Sequence, residues 1–346
     1  MSDRKTAKPR LGLPVWAHLL LIALPLAAGL ISLLIGRYSV SPSDVAGAFG
    51  RLISGAGMTR TDRVLLNMRL PRVALSLLCG AGLSVSGCAF QALFVNPLAT
   101  PDTLGVASGA SFGAALAILL GLPLIGIQGF ALVSGLAALA LTALCAAGRD
   151  PFGGGRSGAS SMILAGIMMQ SLFTALVSLV KFTADTENQL PAITYWLMGS
   201  LASASWKTLA FGAPPIIIGA AALCLLSWRL NLLMLSEEEA RSSGVDVKRL
   251  KLVTAFCAAM ITASCVSMCG QVGWVGLLAP HMCRLLTGGS MKRLVPASLG
   301  AGAAFMAVVD TAARSATASE IPVSILTAVI GAPLFIVLMR RNRLFP

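Results

Sequence analysis

The chain has 346 residues, of which 56% are hydrophobic and 11% charged, with a mean hydropathy of +0.85. A water-soluble domain carries about 25% charged residues, which excludes a soluble enzyme and a soluble nucleic-acid-binding domain despite the net charge of +13. Such a surplus fits a membrane protein instead, because cytoplasmic loops collect Lys and Arg. Backbone groups in hydrocarbon must be satisfied internally, by helices or a closed barrel. The apolar runs here are continuous rather than alternating, so the expected fold is an all-α, polytopic membrane protein.

Taken in chain order, a basic tail (Arg4, Lys5, Lys8, Arg10) precedes an apolar run from about Val15 to Ile35. That run is too long for a signal-peptide core and reads as an uncleaved first span. Further windows of roughly the length that crosses a bilayer fall near 71–91, 103–122, 124–146, 159–181, 208–229, 250–269, 272–287, 294–314 and 323–340. Gly270 and Gly273 divide the seventh window from the eighth. The stretch 190–206 is too short to span and reads as a surface or re-entrant helix, with Tyr195, Trp196 and Trp206 at headgroup level. About ten transmembrane helices with both termini cytoplasmic make 1–346 a single permease-like domain, with a tail at 1–14 and a cytoplasmic loop at 230–250. This orientation places 17 of the 26 Lys and Arg inside.

Six of the nine outside charges (Arg37, Arg51, Arg60, Arg63, Arg69 and Arg72) belong to the first outer loop and its flanks. Lys181, Lys207 and Arg314 complete the set. Two uses compete for them, snorkelling onto lipid phosphates and docking of an acidic partner, and the clustering favours docking. Exposed ion pairs contribute only about 0.2–1 kcal/mol each, so the gain would lie in encounter rate and orientation. Gly105, Gly109 and Gly113 recur at i+4 spacing, a doubled G-x-x-x-G that predicts close helix packing.

The chemistry of an energy-coupling or catalytic centre is missing from the sequence. No G-x-x-x-x-G-K-[ST] occurs, so a P-loop for ATP is absent. His18 and His281 are far apart, no H-E-x-x-H exists, and the eight cysteines form no C-x-x-C pair. Catalytic and metal-ligating residues are therefore expected to be none, and no nucleic-acid partner is expected. Asp310 is the main acidic group inside a span. Intramembrane ionisable groups are functional candidates, and here a helix-packing role stands ahead of proton transport. The cytoplasmic loop is more informative. Ser236 followed by Glu239 is a capping box and Gly244 suits a helix stop, which predicts a short helix over 237–243.

At these residues the sequence resembles the FecCD family of ABC importer permeases, which serve iron-siderophore, haem and cobalamin uptake. The matching stretches are Arg69-Leu70-Pro71-Arg72, Asn96 to Gly113, LAGI at 164–167, YWLMGSL at 195–201, GWVGLLAPHMCRLLTG at 273–288, and Asp310, Arg314, Glu320-Ile321-Pro322 with 330–335. The resemblance implies a multi-pass protein of the bacterial cytoplasmic (inner) membrane that works as a homodimer or paired permease. It also implies two cytoplasmic ATPase subunits, which carry the ATP and Mg, and an extracytoplasmic substrate-binding protein. No cofactor is expected in this chain. By the same resemblance Arg69, Arg72 and Arg314 dock the binding protein. The loop about 236–247, with Ser236, Glu237, Glu239, Ala240, Gly244 and Val245, couples to the ATPase. The translocation path then falls on the fifth and tenth spans, with Met168, Gln170, Ser171 and Thr174 as candidates on the fifth.

The function the resemblance implies is import of an iron chelate (siderophore or haem) or a cobalamin-like substrate by ATP-driven alternating access, with hydrolysis on a partner chain. The alternative is an ion-gradient-driven secondary transporter in which Asp310 carries the proton.

Overall fold

A computed structural model describes residues 15–55, 57–146, 156–317 and 319–341, and no described residue lies in a strand. The basic tail, Arg149 and Arg343 lie outside the described residues. The helices in chain order are α1 (Val15–Leu34), α2 (Pro42–Ser54), α3 (Arg60–Val64), α4 (Leu70–Leu93), α5 (Val106–Leu119), α6 (Leu124–Ala146) and α7 (Arg156–Thr183). They continue with α8 (Gln189–Leu197), α9 (Trp206–Leu230), α10 (Glu237–Ser242), α11 (Val247–Cys269), α12 (Val275–Thr287), α13 (Met291–Ser315) and α14 (Val323–Arg341).

Each of the ten apolar windows coincides with a helix, but their lengths differ. Among the described residues, six helical stretches are long and apolar enough to cross a membrane: Arg60–Leu93, Leu124–Ala146, Gly158–Thr183, Trp206–Leu230, Val247–Cys269 and Met291–Ser315. Three more are apolar but shorter (Leu21–Leu34, Val106–Leu119 and Val323–Leu338), and α12 has only 13 residues. The division at Gly270 is present: α11 ends at Cys269, and Gly270 has φ +71°, where a side chain would also strike the Trp196 carbonyl and Gly199.

Burial sorts the helices into a centre and a rim. The apolar windows through α4 and α11 are 78% buried, against 22% for those of α7 and α9. The reason is composition. Lipid is as apolar as leucine, so close backbone approach rather than hydrophobicity drives helix association. A side chain at Gly80 would enter the Gly302 carbonyl of α13, and one at Gly302 would enter that of Gly80; Gly87 meets Gly276 of α12 in the same way. Buried hydroxyls then stitch the centre. Ser86 Oγ donates to the Ala258 carbonyl (2.9 Å), and Ser264 Oγ to that of Gly212 (2.7 Å).

The glycine triplet behaves differently from its even spacing. Gly109 and Gly113 lie against α6, at Ala138, Ser134 and the Phe130 carbonyl. Gly105 is outside the helix, as the N-cap of α5 with φ +71°, and it faces α7 at Met169 and Gln170. A left-handed backbone there requires glycine for a different reason from packing.

The stretch 190–206 contains α8 and then a turn that re-enters the bundle. Ser200 N–H donates to the Cys269 carbonyl (2.9 Å) and Val323 N–H to that of Gly199 (3.0 Å), so the turn joins the end of α11 to the start of α14. Tyr195 and Trp206 are exposed, and the Trp206 indole N–H donates to the Leu66 carbonyl (3.0 Å). Trp196 instead turns inward, against Val266 and its neighbours.

Candidate functional site: two opposite ends of one bundle

At one end, the segment before α4 forms a widened turn, Leu65–Arg69, in which the Leu70 N–H reaches back to the Leu65 carbonyl. Pro71 follows, and its ring would collide with the carbonyl four residues earlier in a regular helix. Arg69 and Arg72, three residues apart, share a helix face and point into the protein. Arg69 is buried. Its Nη1 donates to the carbonyls of Leu33 (2.7 Å) and Leu34 (3.3 Å), and its Nη2 to that of Tyr38. Arg314 is buried too, donating from Nη2 to the Ser32 carbonyl and to Ser32 Oγ (2.9 Å). Both guanidinium groups thus serve the last carbonyls of α1, which lack intrahelical donors and carry the negative end of the helix dipole.

Arg72 is held by carboxylates on two sides. Its Nε and Nη2 donate to Asp310 Oδ1 at 3.0 and 2.9 Å, and its Nη1 and Nη2 to Glu320 Oε1 and Oε2 at 2.8 and 2.9 Å. Asp310 is fully buried and also pairs with Arg314, whose Nε lies 3.6 Å from its Oδ2. Asp310 therefore ties α13 to α4, and is an ion-pair hub rather than an isolated intramembrane acid. Glu320 lies in the loop before α14, and hydrogen bonding to Arg72 holds its carboxyl below the usual range. A recess of about 310 Å³ opens above these groups, lined by Arg37, Tyr38, Arg69, Arg72, Arg314 and Glu320. Arg69, Arg72 and Arg314, expected from the family resemblance to dock a binding protein, each have partners within the chain. Asp310 stands four residues from Arg314, a spacing visible in the sequence, whereas the hydrogen-bond partners are 31 to 282 residues away and spacing carried no signal of them.

At the opposite end, a turn at Leu232–Met234 follows α9, and α10 comes next. The distance along α13 from Arg314 to Met291 is about 34 Å at 1.5 Å per residue, and Met291 N–H donates to Asn231 Oδ1 (2.7 Å) beside that turn. The capping box is present. The Glu239 carboxylate accepts from Ser236 N–H (3.0 Å) and Ser236 Oγ (2.8 Å), while Glu239 N–H donates to Ser236 Oγ (3.4 Å). Those bonds hold the Glu239 carboxyl below its ordinary range. Ala240 is buried, seating α10 on the turn and on the start of α11. Gly244 has φ +74°, ending the helix one residue past the described Ser243 turn. Asp246 then caps α11 by accepting from Arg249 N–H (3.0 Å). Val245 and Gly244 line a second recess of about 310 Å³ with Leu226, Arg229, Asp246 and Arg249. The Glu237 side chain lies outside the described residues.

Between the ends, Met168, Gln170, Ser171 and Thr174 all lie on the exposed side of α7. Ser171, Thr174 and Ser178 form one hydroxyl stripe, each donating to the carbonyl four residues earlier at 2.7 to 3.0 Å. Their lone pairs remain to face whatever covers this side. Gln170 Nε2 instead donates to Asp102 Oδ2 (2.9 Å). Asp102 also accepts from the N–H groups of Ala107 (3.2 Å) and Ser108 (3.4 Å), capping α5 in place of Gly105. Another long-range pair, Arg284 Nη2 to Gln91 Oε1 (2.7 Å), joins α12 to α4. Among the described residues no three His, Cys, Asp or Glu groups are placed to hold a metal ion, and His281 is buried against the ring of Phe335.

The chain matches the FecCD transport family over residues 21–341. It is 41% identical to the molybdate import system permease protein MolB of Haemophilus influenzae over 310 residues, covering 89% of this chain and 90% of that one. It is 39% identical to the cobalamin import system permease protein BtuC of Halobacterium salinarum over 286 residues, covering 82% and 75%. A solved structure described as a metal-chelate type ABC transporter in an inward-facing conformation superposes with a TM-score of 0.84 at 39% identity, covering 94% of this chain and 98% of that one. With its helical bundle, its apolar spans and a match along almost its whole length, this chain belongs to the FecCD transport family and is an ABC importer permease, a multi-pass membrane protein.

Proposed function

We propose that the chain crosses the inner membrane ten times with both termini cytoplasmic, and that it pairs with a second permease around a path lined by α7 and α14. The arginine end faces out and receives a substrate-binding protein; the α10 end faces in and is pressed by a separate ATPase. The observation that carries this reading is the placement of the basic recess and the capped α10 at opposite ends of one bundle, since alternating access needs cargo and engine on opposite faces.

The internal partners of the arginines refine how docking works. Arg72 is already bidentate to Glu320 on its outer side, so an incoming carboxylate reaches it by taking the place of Glu320. Glu320→Gln weakens the resident partner and is expected to tighten binding-protein association several-fold. The proton-carrier alternative fits less well: Asp310 would have to leave two guanidinium groups in a buried site before taking a proton, and removing a partner from a buried pair costs about 3–5 kcal/mol.

For the cargo we propose a metal chelate, supported by the metal-chelate description of the solved relative. The 41% identity to a molybdate import permease favours a second reading, a tetrahedral oxyanion. Proteoliposomes carrying the chain, its ATPase and its binding protein test both. Vanadate-sensitive uptake of a radiolabelled iron chelate supports the first reading, and uptake of labelled molybdate the second. Uptake of either by the chain alone, driven by a proton gradient, overturns ATP coupling.

A further inference from the structure

We infer that α2 is a membrane-surface element that sits in the outer headgroup layer and gathers anionic phospholipid, a role separate from docking and transport. It rests on the outward orientation of the arginine end given above.

The helix is built to last outside the bundle. Ser41 and Asp44 form a reciprocal capping box, with Ser41 N–H donating to Asp44 Oδ2 (2.8 Å) and Asp44 N–H to Ser41 Oγ (3.2 Å). Gly55 closes the helix in the left-handed conformation at φ +69°. Arg51 then clamps α2 to α3, donating from Nε and Nη2 to the two oxygens of Asp62 at 2.7 Å each. Thr59 and Asp62 form a second box at the start of α3. Exposure on α2 is therefore a property of an ordered helix.

The apolar stripe of α2 is wider than the groove that receives it. Val45 and Ala48, at one edge, pack with Leu33, Leu65 and Val73 over the ends of α1 and α4. Phe49 and Ile53, at the other edge, are exposed, Ile53 by 86%, and so is Leu52 in the last turn of the helix. Arg51 and Ser54 lie on the opposite side of the helix, so the exposed edge is one continuous face. An amphipathic helix of this kind lies with its apolar face in the headgroup and acyl boundary.

Two observations commit the occupant to lipid. The end of α1, which shares the cluster under α2 through Leu33, carries its own outward apolar side chains at Leu30, Ile31 and Ile35, so the exposed edge of α2 adds to a surface that already belongs to a span. The exposed cations beside it, Arg60 and Arg63, have no exposed acid of the segment to answer them, because Asp44 and Asp62 are both used in caps. A phosphate-bearing surface matches that pattern, each Lys or Arg near an anionic leaflet contributing about 1 kcal/mol.

Photocrosslinking in the full chain tests this directly. Benzoylphenylalanine is placed at position 49 on the apolar face, or at position 54, about 140° around the helix on the polar side, in proteoliposomes of phosphatidylcholine with phosphatidylglycerol, and adducts are read by mass spectrometry. The expected result is lipid adducts at 49 several-fold above those at 54, with phosphatidylglycerol enriched over its bulk share. Arg60→Gln with Arg63→Gln is expected to return that share to bulk while leaving total lipid adducts unchanged. Equal yields at 49 and 54, no lipid adduct at either, or adducts at 49 formed to a second copy or to an added binding protein would overturn the assignment.

Discussion

The two ends of the bundle are stabilised in opposite ways. At the arginine end, α1, α4, α13 and the loop before α14 are joined by side chains distant in sequence: Arg69 and Arg314 on the carbonyls of α1, and Arg72 between Asp310 and Glu320. At the α10 end one distant bond, Met291 N–H to Asn231, anchors the turn, and α10 and the start of α11 are shaped by neighbours three residues apart, the Ser236–Glu239 box and the Asp246 cap. The first end is a tertiary network that tolerates little change. The second is a local unit, which can shift as a piece when another protein presses on it, because its internal bonds do not depend on the bundle.

The sharpest way to break this comparison is Asp310→Ala. It leaves Arg72 without its inner partner, and truncating one member of a buried pair costs about 3–5 kcal/mol. Denaturant unfolding in detergent should show that loss, and a change below about 0.5 kcal/mol would mean the network is decorative. Ser236→Ala should be milder and local. Loss of an N-cap costs about 1 kcal/mol, and hydrogen exchange should quicken in 237–242 while global unfolding stays unchanged. A fall in global stability would erase the distinction between the ends. Smallest is Arg249→Ala, which removes an exposed pair with Asp246 (3.1 Å); such pairs contribute about 0.2–1 kcal/mol.

Acidity marks the α10 end as well. The contribution of Glu239 is present above its ordinary value and lost as pH falls through the depressed folded value, so protection of 237–242 in hydrogen exchange should weaken on acidification through that range.

How much of this the sequence disclosed follows the same division. The ten apolar windows landed on helices, the Gly270 break was visible because glycine marks a left-handed stop, and α10 was legible to within a residue because capping is a three-residue pattern. The arginines were visible as charges, but their roles were not. Nothing near Arg72 in sequence announces Asp310 or Glu320, which stand 238 and 248 residues away. Gly105 was misjudged for a related reason: even spacing suggested one helix face, while the helix begins one residue later. Gln170 was in view as a path residue, but Asp102 was not, because the hydrogen bond between them joins elements 68 residues apart.

The most direct test of separate jobs at the two ends is ATPase stimulation in the reconstituted complex carrying Ser236→Ala with Gly244→Val. That variant damages the α10 unit and leaves the arginine network untouched. The account predicts normal affinity for the binding protein and loss of most binding-protein-stimulated ATP hydrolysis. Normal stimulation in the double variant would contradict it and place the engine contact elsewhere.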